Sequence, residues 1–257
     1  MAKTIHHEEG RAYLADDDHL IISQQHTFSQ MIYHVLSEKE PSAEEAKLFE
    51  LILNLSIDHG PDAPSAVATI KSASEEKTIS EAISNGVEQI NDSHGGAIEP
   101  AMRILYQLEE SDISPADLVK QLVDAKVKLP GYGHRIYKVD PRAQLILDTA
   151  EKLGVGESYI KIARELEQEL QQQTGKVLPI NIDGAIAAVL CGFGWESRLG
   201  KAVFIIARVP GRPGRRHAGD RWGRRRPGAA RRPRRAHRRQ CRRAGRHPAR
   251  HHRDEHA

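Results

Sequence analysis

Apolar residues recur every three or four positions through most of the first 208 residues, and several of these stretches begin at residues that cap helices. Ser42-Ala-Glu-Glu45 is a capping box followed by apolar residues at helical spacing, and Thr78 opens a similar stretch that runs to Ile90. Segments with the alternation typical of strands are scarce. The pattern therefore predicts an all-α protein. Its other predicted helices cover Gly95–Glu110, the segment after Ser114-Pro115, Asp140-Pro141 to Leu153, Glu157–Gln173, Ile182–Val189 and Leu199–Arg208.

Composition divides the chain near Val209. Residues 209–257 hold 18 arginines, no lysine and three acidic residues, a formal charge of +15, whereas residues 1–208 hold 20 basic and 32 acidic residues, a formal charge of −12. The arginine-rich segment has almost no aliphatic side chains beyond alanine, so burial cannot offset the entropy lost on ordering it. We predict a disordered tail, or a segment translated from a shifted reading frame of GC-rich DNA. A genuine basic tail that binds nucleic acid non-specifically through phosphates stays open as an alternative.

Several classes of protein are excluded by the sequence. Uninterrupted apolar runs such as Ala202–Ala207 are far shorter than the roughly 20 residues that a membrane helix needs. The N-terminus lacks the hydrophobic core of a secretory signal, and two cysteines, Cys191 and Cys241, provide no disulfide framework. We therefore expect a cytoplasmic protein with no membrane partner.

Short polar segments between the predicted helices combine histidine or aspartate with glycine, and helical patterning does not explain them. They are Asp58-His59-Gly60-Pro61, Asn91-Asp92-Ser93-His94-Gly95-Gly96, Leu129-Pro130-Gly131-Tyr132-Gly133-His134 and Asn181-Ile182-Asp183-Gly184. Neutral imidazoles and a carboxylate at helix ends suit proton transfer next to a carbonyl group. His94 precedes a predicted helix, whose dipole favours the neutral imidazole.

Each segment also has a purely structural interpretation. His94 could cap a helix, Asp183 could be an ordinary N-cap, and Gly131-Tyr132-Gly133 could be only a turn. Arg142 could pair with Asp148 on its own helix. No two histidines in these four segments have the i, i+4 spacing of a metalloprotease helix, so we expect no metal.

Together these segments resemble the signatures of the citrate synthase family. The stretch Pro130-Gly-Tyr-Gly-His-Arg-Ile-Tyr-Lys-Val-Asp-Pro-Arg142 resembles the family's PGxGHxxYxxxDPR signature. His94-Gly-Gly-Ala97 resembles its HGGA turn, Asn181-Ile-Asp183 resembles its N(V/I)D element, and Asp58-His59 resembles its DH element. Order and spacing agree over about residues 20–208.

The resemblance implies a two-domain helical fold with the active site in the cleft. The larger domain would use residues 1–93 and 186–208, and the smaller would use residues 94–185. Family members work as dimers, so a homodimer is implied. The segment after Asp58-His59 reads Gly-Pro, as in citryl-CoA lyases and the citrate-synthase-like domain of ATP-citrate lyase, rather than the Glu that follows in ordinary citrate synthases.

The resemblance also implies roles for single residues. Asp183 would take a proton from the methyl group of acetyl-CoA, His94 would hydrogen-bond the thioester oxygen, and His134 would protonate the ketone of oxaloacetate. In the reverse direction His134 would deprotonate the hydroxyl of citryl-CoA. Oxaloacetate carboxylates would bind His59, Arg142 and Arg208, and coenzyme A would bind the loop of Leu129, Pro130, Gly131, Tyr132 and Gly133.

The activity most strongly implied is citryl-CoA lyase, which needs no metal. A citrate or methylcitrate synthase is the first alternative. A catalytically inactive helical interaction module is the second, because the family's signature is lost after about Arg208, where a further helix would complete the site.

Overall fold

The computed structural model describes residues 5–91 and 95–212, and all of them belong to one packed unit of the chain. Among these residues, three short strands precede eleven helices. The elements are β1 (Ile5–Glu8), β2 (Arg11–Leu14), β3 (Asp17–Asp18), α1 (His19–Gln25), α2 (Phe28–Ser37), α3 (Ala43–Ser56), α4 (Pro64–Ser74), α5 (Ile79–Glu88), α6 (Ile98–Glu110), α7 (Pro115–Asp124), α8 (Pro141–Leu153), α9 (Glu157–Thr174), α10 (Ile182–Gly192) and α11 (Leu199–Arg208). The predicted all-α class is confirmed.

Several of the helices begin where a side chain satisfies free N–H groups of the first turn. Ser42 and Thr78 each form the full capping box, Ser42 with Glu45 and Thr78 with Glu81. At the other end of α8, Gly154 adopts a left-handed conformation and ends the helix near the predicted residue. Local sequence therefore fixes the bounds of these helices to within a few residues.

Helix α10 lies at the centre of the fold. It packs against α6, α8, α9 and α11, and every residue from Gly184 to Cys191 is buried. A helix that is apolar on all sides is stable only when other helices surround it. Its polar N-terminus, at Asn181–Asp183, is consequently held in a fixed place by the core.

A small antiparallel sheet and three helices were not predicted. The strand order is β1-β2-β3, with Ile5 opposite Leu14 and Tyr13 opposite Asp18. The helices are α1, α2 and α4. Helix α2 was missed although Thr27 and Gln30 form a capping box at its start, whereas α4 begins without a side-chain cap. Tyr33 on α2 packs edge-on against Phe49 and Trp195, which attaches this N-terminal region to the core.

The packed fold continues past the compositional boundary at Val209. Arg212 is fully buried, and its guanidinium donates to Asp58 Oδ1 at 3.0 Å and to Ser65 Oγ at 3.2 Å. The first four residues of the segment predicted as a tail are therefore part of the fold, while residues 213–257 lie outside the described residues. The division into a larger and a smaller domain stays a prediction. Among the described residues, no helix combines the length and apolar character needed to span a membrane.

Candidate active site

The N-terminus of α10 presents Asp183 without using it as the helix cap. Asn181 is the N-cap, and its side-chain oxygen accepts from the backbone N–H groups of Asp183 and Gly184 at 3.0 and 3.2 Å. Burial raises the pKa of Asp183 to about 6, against the opposing charges of Arg208 and Arg142. The N-cap interpretation of Asp183 is therefore wrong, and its carboxylate is available for other chemistry.

The loop Leu129–Gly133 is fastened to the segment that leads into α10. Gly131 accepts from the N–H of Asn181 at 3.0 Å, and Gly133 accepts from the Asn181 side chain at 2.9 Å. Gly131 has φ +85°, and a Cβ on it would lie 2.7 Å from the Cα of Gly184. Only glycine allows this approach, so the loop lies directly beside the residues around Asp183.

Asp140 begins α8 and connects it to α10. Its carboxylate is 1% exposed, accepts from Arg142 Nε at 3.0 Å and from Arg142 Nη2 at 2.7 Å, and accepts from the backbone N–H of Ile182 at 3.2 Å. Burial opposes ionisation, but the hydrogen bonds and charge of Arg142 outweigh it, so the pKa of Asp140 is lowered. The starts of the two helices are therefore joined through one ionised carboxylate.

Arg142 does not pair with Asp148, which contacts Arg164 instead at 3.3 Å. Arg142 Nη1 lies 3.0 Å from Nδ1 of His59, and a guanidinium can only donate. His59 Nδ1 is thus the acceptor, and its neutral ring carries its proton on Nε2. Burial, followed by the charges of Arg142 and Arg208, lowers the pKa of His59 and keeps this ring neutral.

His134 faces His59 edge to face, with ring centroids 5.9 Å apart, and lies against the ring of Tyr137 at 4.6 Å. Its Nδ1 accepts from the backbone N–H groups of Ile136 and Tyr137 at 3.0 and 3.1 Å. Burial lowers the pKa of His134, although Asp140 opposes this. The resting ring is therefore neutral, with its proton on Nε2 as a hydrogen-bond donor.

Arg208, the last residue of α11, brings a buried guanidinium to the same region. It is 1% exposed, its Nε donates to the carbonyl of Ser56 at 2.7 Å, and its guanidinium carbon lies 4.4 Å from the centre of the Phe204 ring. Nη1 has no hydrogen-bond partner among the described residues. Burial lowers the pKa of Arg208 to about 10, which leaves it charged at neutral pH.

The turn before α6 also reaches Asp183. The backbone N–H of Ala97 donates to the Asp183 carboxyl, and the backbone of Gly95 lies against the ring of Phe204. Helix α6 begins at Ile98, three residues later than predicted. His94 lies outside the described residues, so its predicted catalytic position stays a prediction.

The described residues that the sequence nominates for the site are connected to one another. His59, His134 and Arg142 form one contacting group, while Asp183 and Arg208 interact electrostatically with Arg142. Asp140 and Asn181 are positioning residues that were not among those nominated for the site. Asp140 stands just before a proline at the start of a helix, and Asn181 stands just before the predicted helix at Ile182. Both positions are N-cap signals that could have identified them.

Comparison with known proteins identifies the family and the fold. A family model described as "Citrate synthase, C-terminal domain" matches residues 1–215. The citryl-CoA lyase from Hydrogenobacter thermophilus is 36% identical, with a TM-score of 0.80 over 84% of each chain. Citrate synthase from Thermoplasma acidophilum, solved with carboxymethyl coenzyme A and oxaloacetate, is 25% identical, with a TM-score of 0.63 over 76% of this chain and 52% of that one.

The citrate synthase of Haloferax volcanii is 28% identical over 200 residues, which cover 76% of this chain and 52% of that protein. The chain thus spans about half the length of the curated citrate synthases that it matches. The family model nonetheless covers most of the chain, and the matched structures share its helical fold. The chain belongs to the citrate synthase family.

Proposed function

We propose that this chain is a citryl-CoA lyase that cleaves citryl-CoA to acetyl-CoA and oxaloacetate. The observation that carries the proposal is the likeness to the Hydrogenobacter thermophilus citryl-CoA lyase over 84% of both chains. The matched citrate synthases share only about half of their length with this chain. The Gly60-Pro61 that follows Asp58-His59 gives independent support from the sequence.

In the condensation direction, Asp183 removes a proton from the methyl group of acetyl-CoA. A carboxyl with a pKa of about 6 is ionised at neutral pH and is a stronger base than an ordinary aspartate. We assign coenzyme A to the loop Leu129–Gly133, since this loop is hydrogen-bonded to Asn181, two residues from the base. His94 would donate to the thioester oxygen, an assignment that rests on the HGGA turn.

Arginine and histidine side chains then bind the carboxylates of oxaloacetate. A guanidinium carries five N–H groups. In Arg142, Nε and one hydrogen of Nη2 are donated to Asp140, and one hydrogen of Nη1 is donated to His59. One N–H on each terminal nitrogen remains for a carboxylate. Arg208 contributes the buried Nη1, which has no partner in residues 5–91 and 95–212, and a substrate carboxylate would satisfy it.

Carbon–carbon bond formation uses the hydrogen-bond donor of His134. As the methyl carbon of acetyl-CoA bonds to the ketone carbon, the ketone oxygen takes the proton on His134 Nε2. The two backbone N–H groups that donate to Nδ1 stabilise the charge left on the ring. His59 holds the substrate through its own Nε2 proton.

Cleavage reverses these transfers, and His134 keeps the role expected from the sequence but starts in a different protonation state. A resting neutral ring with its proton on Nε2 cannot accept the hydroxyl proton of citryl-CoA, because its only lone pair, on Nδ1, is already occupied by two donors. Cleavage therefore starts from the protonation state that condensation leaves behind. In that state the carboxyl of Asp183 carries a proton and Nε2 of His134 does not. The hydroxyl proton returns to Nε2, the bond breaks, and Asp183 protonates the departing carbon to give acetyl-CoA.

Citrate synthase activity is the second candidate, favoured by the curated matches. Such an enzyme would add hydrolysis of the thioester and release citrate and free coenzyme A. We propose a homodimer for either activity.

The test is the product mixture formed from citryl-CoA by the full chain. We expect acetyl-CoA and oxaloacetate in equal amounts, and loss of both with Asp183→Asn. Citrate and free coenzyme A as the main products would assign the synthase activity instead. Equal product formation with and without the Asp183 carboxylate would refute the site.

A further inference from the structure

Two imidazoles and two carboxylates meet in the N-terminal region of the described chain. They are Asp17 on β3, His26 at the end of α1, His34 on α2 and Glu40 between α2 and α3. We call them the N-terminal histidine–carboxylate cluster. It shares no residue with the active site, and the proposed reaction does not use it.

The geometry of the cluster is close to that of a metal site. Glu40 Oε2 lies 2.6 Å from His26 Nε2, and its Oε1 lies 2.8 Å from His34 Nδ1. Asp17, His34 and Glu40 each offer a ligand atom within 4.8 Å of the others, and Asp17 also acts electrostatically on His26. Tetrahedral zinc with bonds of about 2.0–2.1 Å places neighbouring ligand atoms roughly 3.3 Å apart. Small side-chain movements therefore suffice to form the site.

His34 places a buried imidazole against the carboxylate of Glu40. Its side chain is 5% exposed, and its Nδ1 is the nitrogen that faces Glu40. Nδ1 is therefore the atom that would bind the ion, in place of its present hydrogen bond to Glu40, and an aliphatic side chain could not fill that role.

The ligand types select the class of ion. With both rings neutral, the cluster carries two negative charges, which one divalent cation would balance. Imidazole nitrogens disfavour Mg²⁺ and Ca²⁺, whereas two imidazoles with carboxylates suit Zn²⁺ and similar first-row ions. We propose that the N-terminal histidine–carboxylate cluster binds one Zn²⁺ ion, which ties β3 and the ends of α1 and α2 to the segment before α3.

Titration of the metal-stripped full chain with Co²⁺ and Zn²⁺ tests the proposal. Co²⁺ bound to four nitrogen and oxygen ligands gives visible absorption bands, and calorimetry gives the number of Zn²⁺ ions bound. The test variants are Glu40→Gln, whose amide preserves the shape of the side chain, and His26→Ala. The matched controls are Glu38→Gln, the same change two residues away, and His7→Ala on exposed β1.

We expect the parent chain and both controls to bind one more Co²⁺ ion than the test variants do, with visible bands. The affinity for this ion should fall at least tenfold in Glu40→Gln and in His26→Ala. Histidines elsewhere in the chain bind metal equally in all variants, so the difference isolates the cluster. Identical titrations of the parent and Glu40→Gln, or the absence of any visible band in the parent, would show a hydrogen-bonded cluster only.

Discussion

Helices α8 and α10 each carry an aspartate at their start, and the pKa values of the two aspartates are shifted in opposite directions. Asp140 is the N-cap of α8, is almost fully buried, and is held ionised by the bidentate guanidinium of Arg142. Asp183 lies one position inside α10, where Asn181 already caps the helix, and burial raises its pKa to about 6.

The difference separates a structural carboxylate from a reactive one. The carboxylate of Asp140 accepts hydrogen bonds from Arg142 and from the N–H of Ile182, so it fixes the positions of both neighbours. Asp183 receives the N–H of Ala97 but forms no ion pair within the described part of the chain, so its protonation state can change near neutral pH. The cap that Asn181 supplies is what makes this division possible.

The largest expected effect is that of Asp183→Asn on catalysis. Removing a positioned proton-transfer group lowers turnover by about 10²–10⁴-fold, and the amide preserves the volume of the side chain. Steady-state cleavage of citryl-CoA measures it. The matched control is Asp117→Asn, an exposed first-turn aspartate of α7, which should leave turnover within about twofold. A parent-like rate in Asp183→Asn would exclude this residue as the base.

Asp140→Asn should instead lower the free energy of unfolding, by roughly 2–4 kcal/mol, because it leaves the guanidinium of Arg142 without its buried counter-charge. Asp183→Asn should leave stability unchanged or higher above pH 6, since it removes a carboxyl whose ionisation burial disfavours. Denaturant unfolding of both variants at pH 8 measures the contrast. Equal losses of stability would contradict the distinction between the two aspartates.

Arg142→Lys should weaken oxaloacetate binding by about 10–100-fold, since a lysine keeps the charge but not the two-point contact, worth about 1.5–3 kcal/mol. Calorimetry with oxaloacetate gives the dissociation constant. Arg164→Lys, which disturbs an exposed pairing with Glu151, serves as the control and should not change it. An unchanged dissociation constant in Arg142→Lys would leave Arg142 a purely structural partner of Asp140.

Much of the fold follows from local sequence because capping chemistry is local. The box Ser42–Glu45 and the left-handed Gly154 act within a few residues of the chain, so a reader of the sequence can place them. Helix α4 was missed because it is rich in alanine and serine and has no side-chain cap. Its stability comes from packing against α5, which no local pattern reveals.

The sequence predicts which residues belong to the candidate site, but it does not predict their protonation states or tautomers. Sequence resemblance nominated Asp183 and His134. The pKa of Asp183, however, depends on burial and on the charges of Arg208 and Arg142, which are distant in the sequence. The tautomer of His134 depends on the backbone conformation that brings the N–H groups of Ile136 and Tyr137 to Nδ1. Arg212 was instead placed by the sequence in a segment predicted to be disordered, although it is part of the fold. An arginine-rich segment lacks the composition of a core, but one arginine is buried where Asp58 supplies a counter-charge 154 residues away.

Exchange of the acetyl-CoA methyl protons in D₂O, with a non-reactive oxaloacetate analogue bound, is the direct test of Asp183 as the base. Abstraction requires ionised Asp183, so the exchange rate should rise about tenfold per pH unit below its pKa of about 6 and level off above it. Asp183→Asn should abolish this dependence together with at least 99% of the rate, roughly the lower bound for a proton-transfer group. An exchange rate in Asp183→Asn equal to that of the parent, or a pH profile centred near 4 as for an ordinary aspartate, would contradict the account.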